Sequence, residues 1–154
     1  MTQSHAVNSY DEWSRLHEVI VGSADHYDFH HLDATFRLFH FENLKQILEN
    51  ERFQKAYLDL AADIRSELEE DVEGLAQALR ECGVTVHRPV RLAHSGDIKT
   101  PYWSSRPTPA LNVRDQTIIL GDTILETAPQ QRARYFENDA LKPVFYEYLG
   151  SGSV

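Results

Sequence analysis

The sequence predicts an α/β architecture, and three observations carry that prediction. A run of β-branched residues, Val19-Ile20-Val21, stops at Gly22. A long stretch from about Phe41 to Cys82 takes on helical spacing of its apolar residues. Two apolar runs, TIIL and TILE, flank Gly121-Asp122. The order is strand, helical segment, strand, hairpin, helix, an alternation that argues for helices packed against sheet.

Each element has a local signal. Val19 to Val21 reads as a strand leaving into a loop at the glycine. The following SADHYDFHHLDATF is polar and aromatic, long enough to be functional or mobile. Ile64, Leu68, Val72, Leu75 and Leu79 then fall on one helical stripe. Glu67, Glu70, Asp71 and Glu73 form a solvated opposite face. Asp63 and Ser66 are candidate N-caps and Gly83 a C-terminal stop. A less regular helix is expected before them, from Asn43 to Ala62. VTVHRP alternates as a strand closed by Pro89. Residues 91–113, rich in proline and serine, read as irregular loop.

The Gly121-Asp122 pair suits a tight hairpin, because glycine accepts the positive φ of a primed turn. Pro129 fits a first helical turn. Pro143 should break that helix near Lys142, with a restart at Asn138-Asp139. One domain over residues 1–150 and a flexible tail over 151–154 complete the expectation.

Composition narrows the function classes. The chain has 154 residues, 42% hydrophobic and 25% charged, enough for one domain with a core. Fifteen basic against 24 acidic side chains give a formal charge of −9. An acidic surface repels phosphate, so no nucleic acid and no anionic membrane are expected as partners, and small cations are better company. Cys82 is the single cysteine, which excludes an internal disulfide and a cysteine-built zinc site. With no readable secretory signal and no long apolar run, a soluble cytoplasmic protein is the expectation.

Candidate chemistry is sparse. Cys82, following Leu79 on the apolar stripe, reads as buried filling rather than a nucleophile. His26, His30 and His31 lie among Asp25, Asp28 and Asp33, but no spacing fixes a third ligand, so no metal site is expected. Tyr102 and Trp103 read as anchors for the proline-rich loop, with pocket lining as the alternative. Asp115 precedes a strand that reads as buried, where an unpaired charge would be costly. It is either an exposed turn aspartate or a carboxylate aimed at a cation. Arg132 and Arg134 could pair with nearby acids or simply solvate their helix. Phosphate loops, nucleophile elbows and zinc-protease motifs are not found.

Three stretches in order carry a resemblance. NSYDEWSRLHEVIVG (8–22), GVTVHRP (83–89) and NVRDQTIILGDTILETAPQQRARYFE (112–137) resemble the N-terminal portion of the arginine:glycine and inosamine-phosphate amidinotransferase family. The resemblance implies part of a pentein-type α/β propeller, about two ββαβ-like modules. It also implies a reaction without cofactor: a cysteine takes the amidino group from arginine covalently, a histidine moves protons, and an amine accepts the group. Asp115 matches the family's substrate-contacting aspartate, and Arg114 its neighbour, so both are expected at the substrate. That would explain a carboxylate at the mouth of a strand: it awaits a guanidinium.

The family's catalytic cysteine and histidine lie beyond position 154, so no catalytic residue is expected in this chain. Cys82 falls at an ordinary helix position, and HLDATF (31–36) imitates the family's His-x-Asp segment in the wrong module. The reading is therefore a portion of an amidinotransferase-like protein that is inactive alone. A truncation, one part of a split enzyme completed by a C-terminal polypeptide, or a small complete relative would each produce it. The alternative is a non-catalytic, self-associating binding or assembly module on the same scaffold.

Overall fold

The computed structural model describes residues 6–25, 33–39, 51–92 and 97–150, with residues 51–63 as helical backbone. In chain order the elements are β1 (Glu18–Ile20), α1 (Ala34–Phe39), α2 (Glu51–Glu81), β2 (Thr85–His87), β3 (Ile98–Lys99), β4 (Ser104–Ser105), β5 (Thr117–Leu120), β6 (Thr123–Glu126) and α3 (Lys142–Leu149). Among the described residues the strands form three separate two-stranded sheets. β1 and β2 are parallel, with Val19 opposite Val86. Parallel neighbours need a long crossover, and α2 lies within it. β3–β4 and β5–β6 are antiparallel.

The mixed α/β class and the strand–helix–strand–hairpin–helix order agree with expectation; several details do not. α2 runs unbroken from Glu51 to Glu81, through both Asp63 and Ser66. Residues 51–73 hold neither glycine nor proline, so a capping side chain has no break to cap. The buried stripe of α2 is also shifted. Ala76 is fully buried, whereas Leu75 and Ile64 are exposed. Leu68, Val72 and Ala76 at four-residue spacing lie on the covered side, and Leu75 falls a hundred degrees away.

The helix ends as its glycine predicts. Gly83 has φ +77°, its N–H donates to the Arg80 carbonyl, and the Val84 N–H donates to the Leu79 carbonyl. Those two bonds form a Schellman motif. Cys82 sits at this turn and is exposed, correcting the expectation of a buried thiol. Its position one turn's fraction past Leu79 rotates it off the covered stripe.

Two further corrections concern prolines. Pro143 lies in the first turn of α3, starting that helix instead of breaking one. Its missing N–H costs nothing there, because first-turn donors have no helical acceptor. Ahead of it the chain makes 3-10 turns at Arg132–Arg134 and Glu137–Ala140, where a helix from Pro129 with a restart at Asn138-Asp139 was expected. The proline-rich loop also holds the small β3–β4 ladder, closed by the Thr100 N–H and the Trp103 carbonyl at 2.9 Å.

Among the described residues the buried apolar set holds five alanines, Ala24, Ala76, Ala110, Ala133 and Ala140, beside the larger Val21, Phe36, Ile98, Leu141, Val144 and Phe145. The β5–β6 hairpin turns at Gly121 with φ +61°, as its sequence predicts. Its burial does not follow the sequence expectation. Ile118 and Leu125 face each other across the strands and are 48% and 44% exposed, and Leu120 is 65% exposed. One face of this hairpin is apolar and open to solvent. No described helix is long and apolar enough to cross a membrane.

Candidate functional site

Asp115 is placed by backbone geometry on three sides. Upstream, β1 runs out through Gly22 against residues 110–111. The Ser23 N–H donates to the Ala110 carbonyl at 2.9 Å, and a Cβ on Gly22 would lie 1.8 Å from the Leu111 oxygen. Only glycine permits that approach. The chain then closes a 3-10 turn at Val113–Asp115, where the Asp115 N–H donates to the Asn112 carbonyl at 3.1 Å. From the far end of the hairpin, the Thr127 hydroxyl donates to the Asp115 carbonyl at 3.0 Å, and the Thr127 N–H to the Gln116 carbonyl at 2.8 Å. The Asp115 carboxylate stands at the rim of this framework, 42% exposed.

Beneath it lies a buried polar network. Arg134 Nε and Nη2 donate to Glu137 Oε1 and Oε2 at 2.9 and 2.8 Å, a bidentate fork. Arg134 Nη1 donates to Asp115 Oδ2 at 2.9 Å, and Nη2 also reaches the Asn112 carbonyl at 3.2 Å. Glu137 is 4% exposed and takes two more donors, the Thr108 hydroxyl at 3.0 Å and Gln116 Nε2 at 2.7 Å. Burial pushes the Glu137 carboxyl above its ordinary range, against the pull of Arg134 and Thr108. For Arg134, burial opposes the charge, yet hydrogen bonds and charge from Glu137 and Asp115 outweigh it and raise the pKa. One part-buried guanidinium thus faces two carboxylates, and the unbalanced negative charge falls on the outer one, Asp115.

Arg114 is directed into solvent, 95% exposed, with its Nε 3.9 Å from Asp115 Oδ1. At that exposure and distance the pair is strongly screened. The open choice for the two helix arginines is therefore resolved. Arg134 pairs with acids, whereas Arg132 lies over the Trp103 ring at 5.5 Å. Trp103 also meets Tyr135 edge-on, so it does anchor its loop, while Tyr102 is exposed.

A second cluster sits at the β1–β2 pair. His87 Nε2 lies 2.8 Å from Glu18 Oε2 and 2.9 Å from the Tyr148 hydroxyl, which itself donates to Glu18. Burial first, and Glu18 second, push the Tyr148 phenol well above its ordinary range. These side chains border a cleft of about 850 Å³ whose apolar wall includes Ile20, Ile119, Ile124 and Phe145.

Asp33 is a helix cap. Burial pushes its carboxyl up, but Oδ1 accepts from the Thr35 hydroxyl and from the Phe36 and Thr35 N–H groups, and these bonds, with Arg132, hold it below the ordinary range. His26, Asp28, His30 and His31 lie outside the described residues. Among the described residues no three His, Cys, Asp or Glu side chains form a metal-sized group. Sequence reasoning missed Glu137, Gln116 and Thr108. Glu137 had a readable signal, since Arg134 and Glu137 stand three apart in RARYFE and can meet on one helical turn. The Glu18–His87–Tyr148 group joins three distant segments and had none.

No protein-family model matches the chain. Individual relatives do. Inosamine-phosphate amidinotransferase 1 of Streptomyces griseus is 36% identical over 148 residues, covering 96% of this chain and 41% of the relative. The mitochondrial glycine amidinotransferase of Xenopus laevis is 29% identical over 151 residues, 98% of this chain and 35% of its own length. The solved Streptomyces griseus inosamine-phosphate amidinotransferase superposes with a TM-score of 0.74 at 33% identity, over 96% of this chain and 41% of that one. An amidinotransferase of the saxitoxin biosynthetic pathway in Microseira wollei gives 0.70 at 26% identity, over 96% and 40%.

In sequence and fold the chain is similar to amidinotransferases, with a structural match to part of their pentein fold. In particular, the chain corresponds to an N-terminal-like portion of the inosamine-phosphate and glycine amidinotransferases, spanning about two fifths of the length of the Streptomyces griseus relative.

Proposed function

We propose that the chain supplies substrate contacts to an amidino-transfer site in which arginine is the donor and an amine the acceptor. Asp115 accepts the guanidinium, and Arg114, its solvent-exposed neighbour, is the second residue assigned to the substrate site. One observation carries this reading. The Asp115 main chain is held in its turn, its carboxylate is paired on one oxygen by part-buried Arg134, and it is the outer member of a cluster with excess negative charge. A planar cation with paired N–H donors is the complement of such a carboxylate edge.

The thiol and imidazole of the covalent step are absent from this reading of the chain, so we expect no transfer activity from it alone. No cofactor is invoked. The parallel β1–β2 pair with α2, and the hairpin with α3, are consistent with about two ββαβ-like modules. A cytoplasmic setting accords with the acidic surface and the absence of a membrane-length apolar helix among the described residues.

The exposed apolar face of the hairpin favours a second element of the reading, an assembly role. Ile118, Leu120 and Leu125 suit contact with a complementing polypeptide or a second copy. Calorimetry with arginine tests the ligand claim. Wild type should bind and Asp115→Ala should lose about ten-fold or more in affinity, the equivalent of one charge-assisted hydrogen bond. Equal affinities would remove Asp115 from the site.

A further inference from the structure

A guanidinium and an ammonium carry the same charge but ask different things of a carboxylate. The guanidinium is a rigid planar fork and gains its second hydrogen bond only when the carboxylate plane is held in register. The ammonium is a compact point charge with rotating donors, indifferent to that plane. Selectivity for one over the other therefore depends on whatever fixes the carboxylate's rotation.

An aspartate on a short turn has two side-chain torsions, and its backbone bonds restrain neither. In this chain the torsional restraint comes from one residue. Arg134 Nη1 holds Asp115 Oδ2 at 2.9 Å, while the same guanidinium is locked from behind by its fork onto Glu137. Glu137 is locked in turn by Thr108 and Gln116, at 3.0 and 2.7 Å, in a setting where it is 4% exposed. Four side chains from three segments, at 108, 116 and 134–137, thus converge to fix the orientation of a fifth at the rim. Each carboxylate oxygen has two acceptor positions, so Arg134 constrains Oδ2 without consuming it.

Resting on the reading of Asp115 as the cation's acceptor, we infer that Arg134 is the positioning residue that makes this site select guanidinium over ammonium. It does so by fixing the Asp115 carboxylate plane through its fork onto Glu137. Arg134 touches no substrate in this arrangement. Loss of the fork should leave attraction for cations in place and erase the discrimination between their head groups.

The test compares L-arginine and L-lysine as probes, which share a backbone and a charge and differ at the head group. Affinities are measured by calorimetry or NMR titration for wild type, Asp115→Asn and Arg134→Lys, with circular dichroism confirming the fold. Wild type should bind arginine about ten-fold more tightly than lysine, the equivalent of one extra charge-assisted hydrogen bond. Asp115→Asn should weaken both probes. Arg134→Lys, which keeps the charge and loses the fork, should bring the arginine-to-lysine ratio close to one.

An unchanged ratio in folded Arg134→Lys overturns the inference and leaves the Asp115 reading standing. Failure of wild type to bind arginine overturns the Asp115 reading and the inference with it. Should Arg134→Lys fail to fold, Glu137→Gln loosens the same fork and is expected to level the ratio in the same way. Should that variant also fail, the wild-type Arg134 Nε–H resonance decides. A signal shifted by arginine and not by lysine supports positioning, and one that both probes leave unmoved overturns it.

Discussion

Glu137 and Glu18 occupy clusters of similar make-up in opposite settings. Glu137 is 4% exposed and receives a guanidinium fork, a hydroxyl and an amide. Glu18 is 41% exposed and shares its oxygen with His87 and Tyr148 on the edge of an open cleft. Both carboxylates link segments distant in sequence. Water can replace the partners of one and not of the other, so removal of a partner has different consequences. A buried ion left without its partner pays its desolvation in full, whereas an exposed ion is rehydrated. The interior cluster can hold a geometry, and the rim cluster can only bias one.

The largest test of that contrast is Glu137→Ala. It leaves part-buried Arg134, whose charge burial already opposes, with only Asp115 as carboxylate partner, and should cost about 3 kcal/mol, read from urea unfolding. A cost similar to that of Glu18→Ala would erase the distinction between the clusters. Gly22→Ala comes next, because it attacks the contact that ties β1 to the turn bearing Asp115. With a Cβ 1.8 Å from the Leu111 oxygen, backbone must move, at about 1–3 kcal/mol or more. Weakened arginine binding should accompany the lost stability, and an unaffected thermal midpoint would show that the approach is not tight.

Glu18→Ala should cost about 0–1 kcal/mol and lose even that in high salt, as a partly exposed pair does. A larger, salt-insensitive loss would place Glu18 with Glu137.

The smallest effect is in pH. Burial raises the Glu137 pKa in the folded chain above its unfolded value, so the folded state binds the proton more tightly. The resulting stability is present below the ordinary glutamate range and is lost as pH rises through the raised value. Unfolding midpoints of wild type minus Glu137→Gln should therefore decline slightly with pH across that interval. A rise would mean that Arg134 outweighs burial at this carboxyl.

Legibility from sequence followed the range of the interaction. Gly83 and Gly121 announced their turns, because a positive φ is a property of one residue and its immediate neighbours. The amidinotransferase resemblance was legible because it rests on ordered short motifs. Ala76 was hidden behind Leu75, since apolar spacing gives a helix its period without saying which of two adjacent residues meets a partner. Cys82 was misread for the same reason. Among the candidate-site residues Asp115 was visible through its motif and Arg134 as a base that could pair with an acid, while Glu137 was missed despite its three-residue spacing from Arg134. Gln116 and Thr108 were not, because their roles arise where 108, 116 and 137 converge.

By itself the sequence determined the α/β class, the order of its elements, the two glycine turns and the family to which its motifs point. Those features depend on backbone preferences and periodicity within a few residues of chain. Only the tertiary structure decided which faces are covered, that the hairpin keeps an apolar side in solvent, and that Asp115 has an arginine at its back. Desolvation and long-range hydrogen bonding are properties of segments brought together, and neither leaves a trace in local sequence.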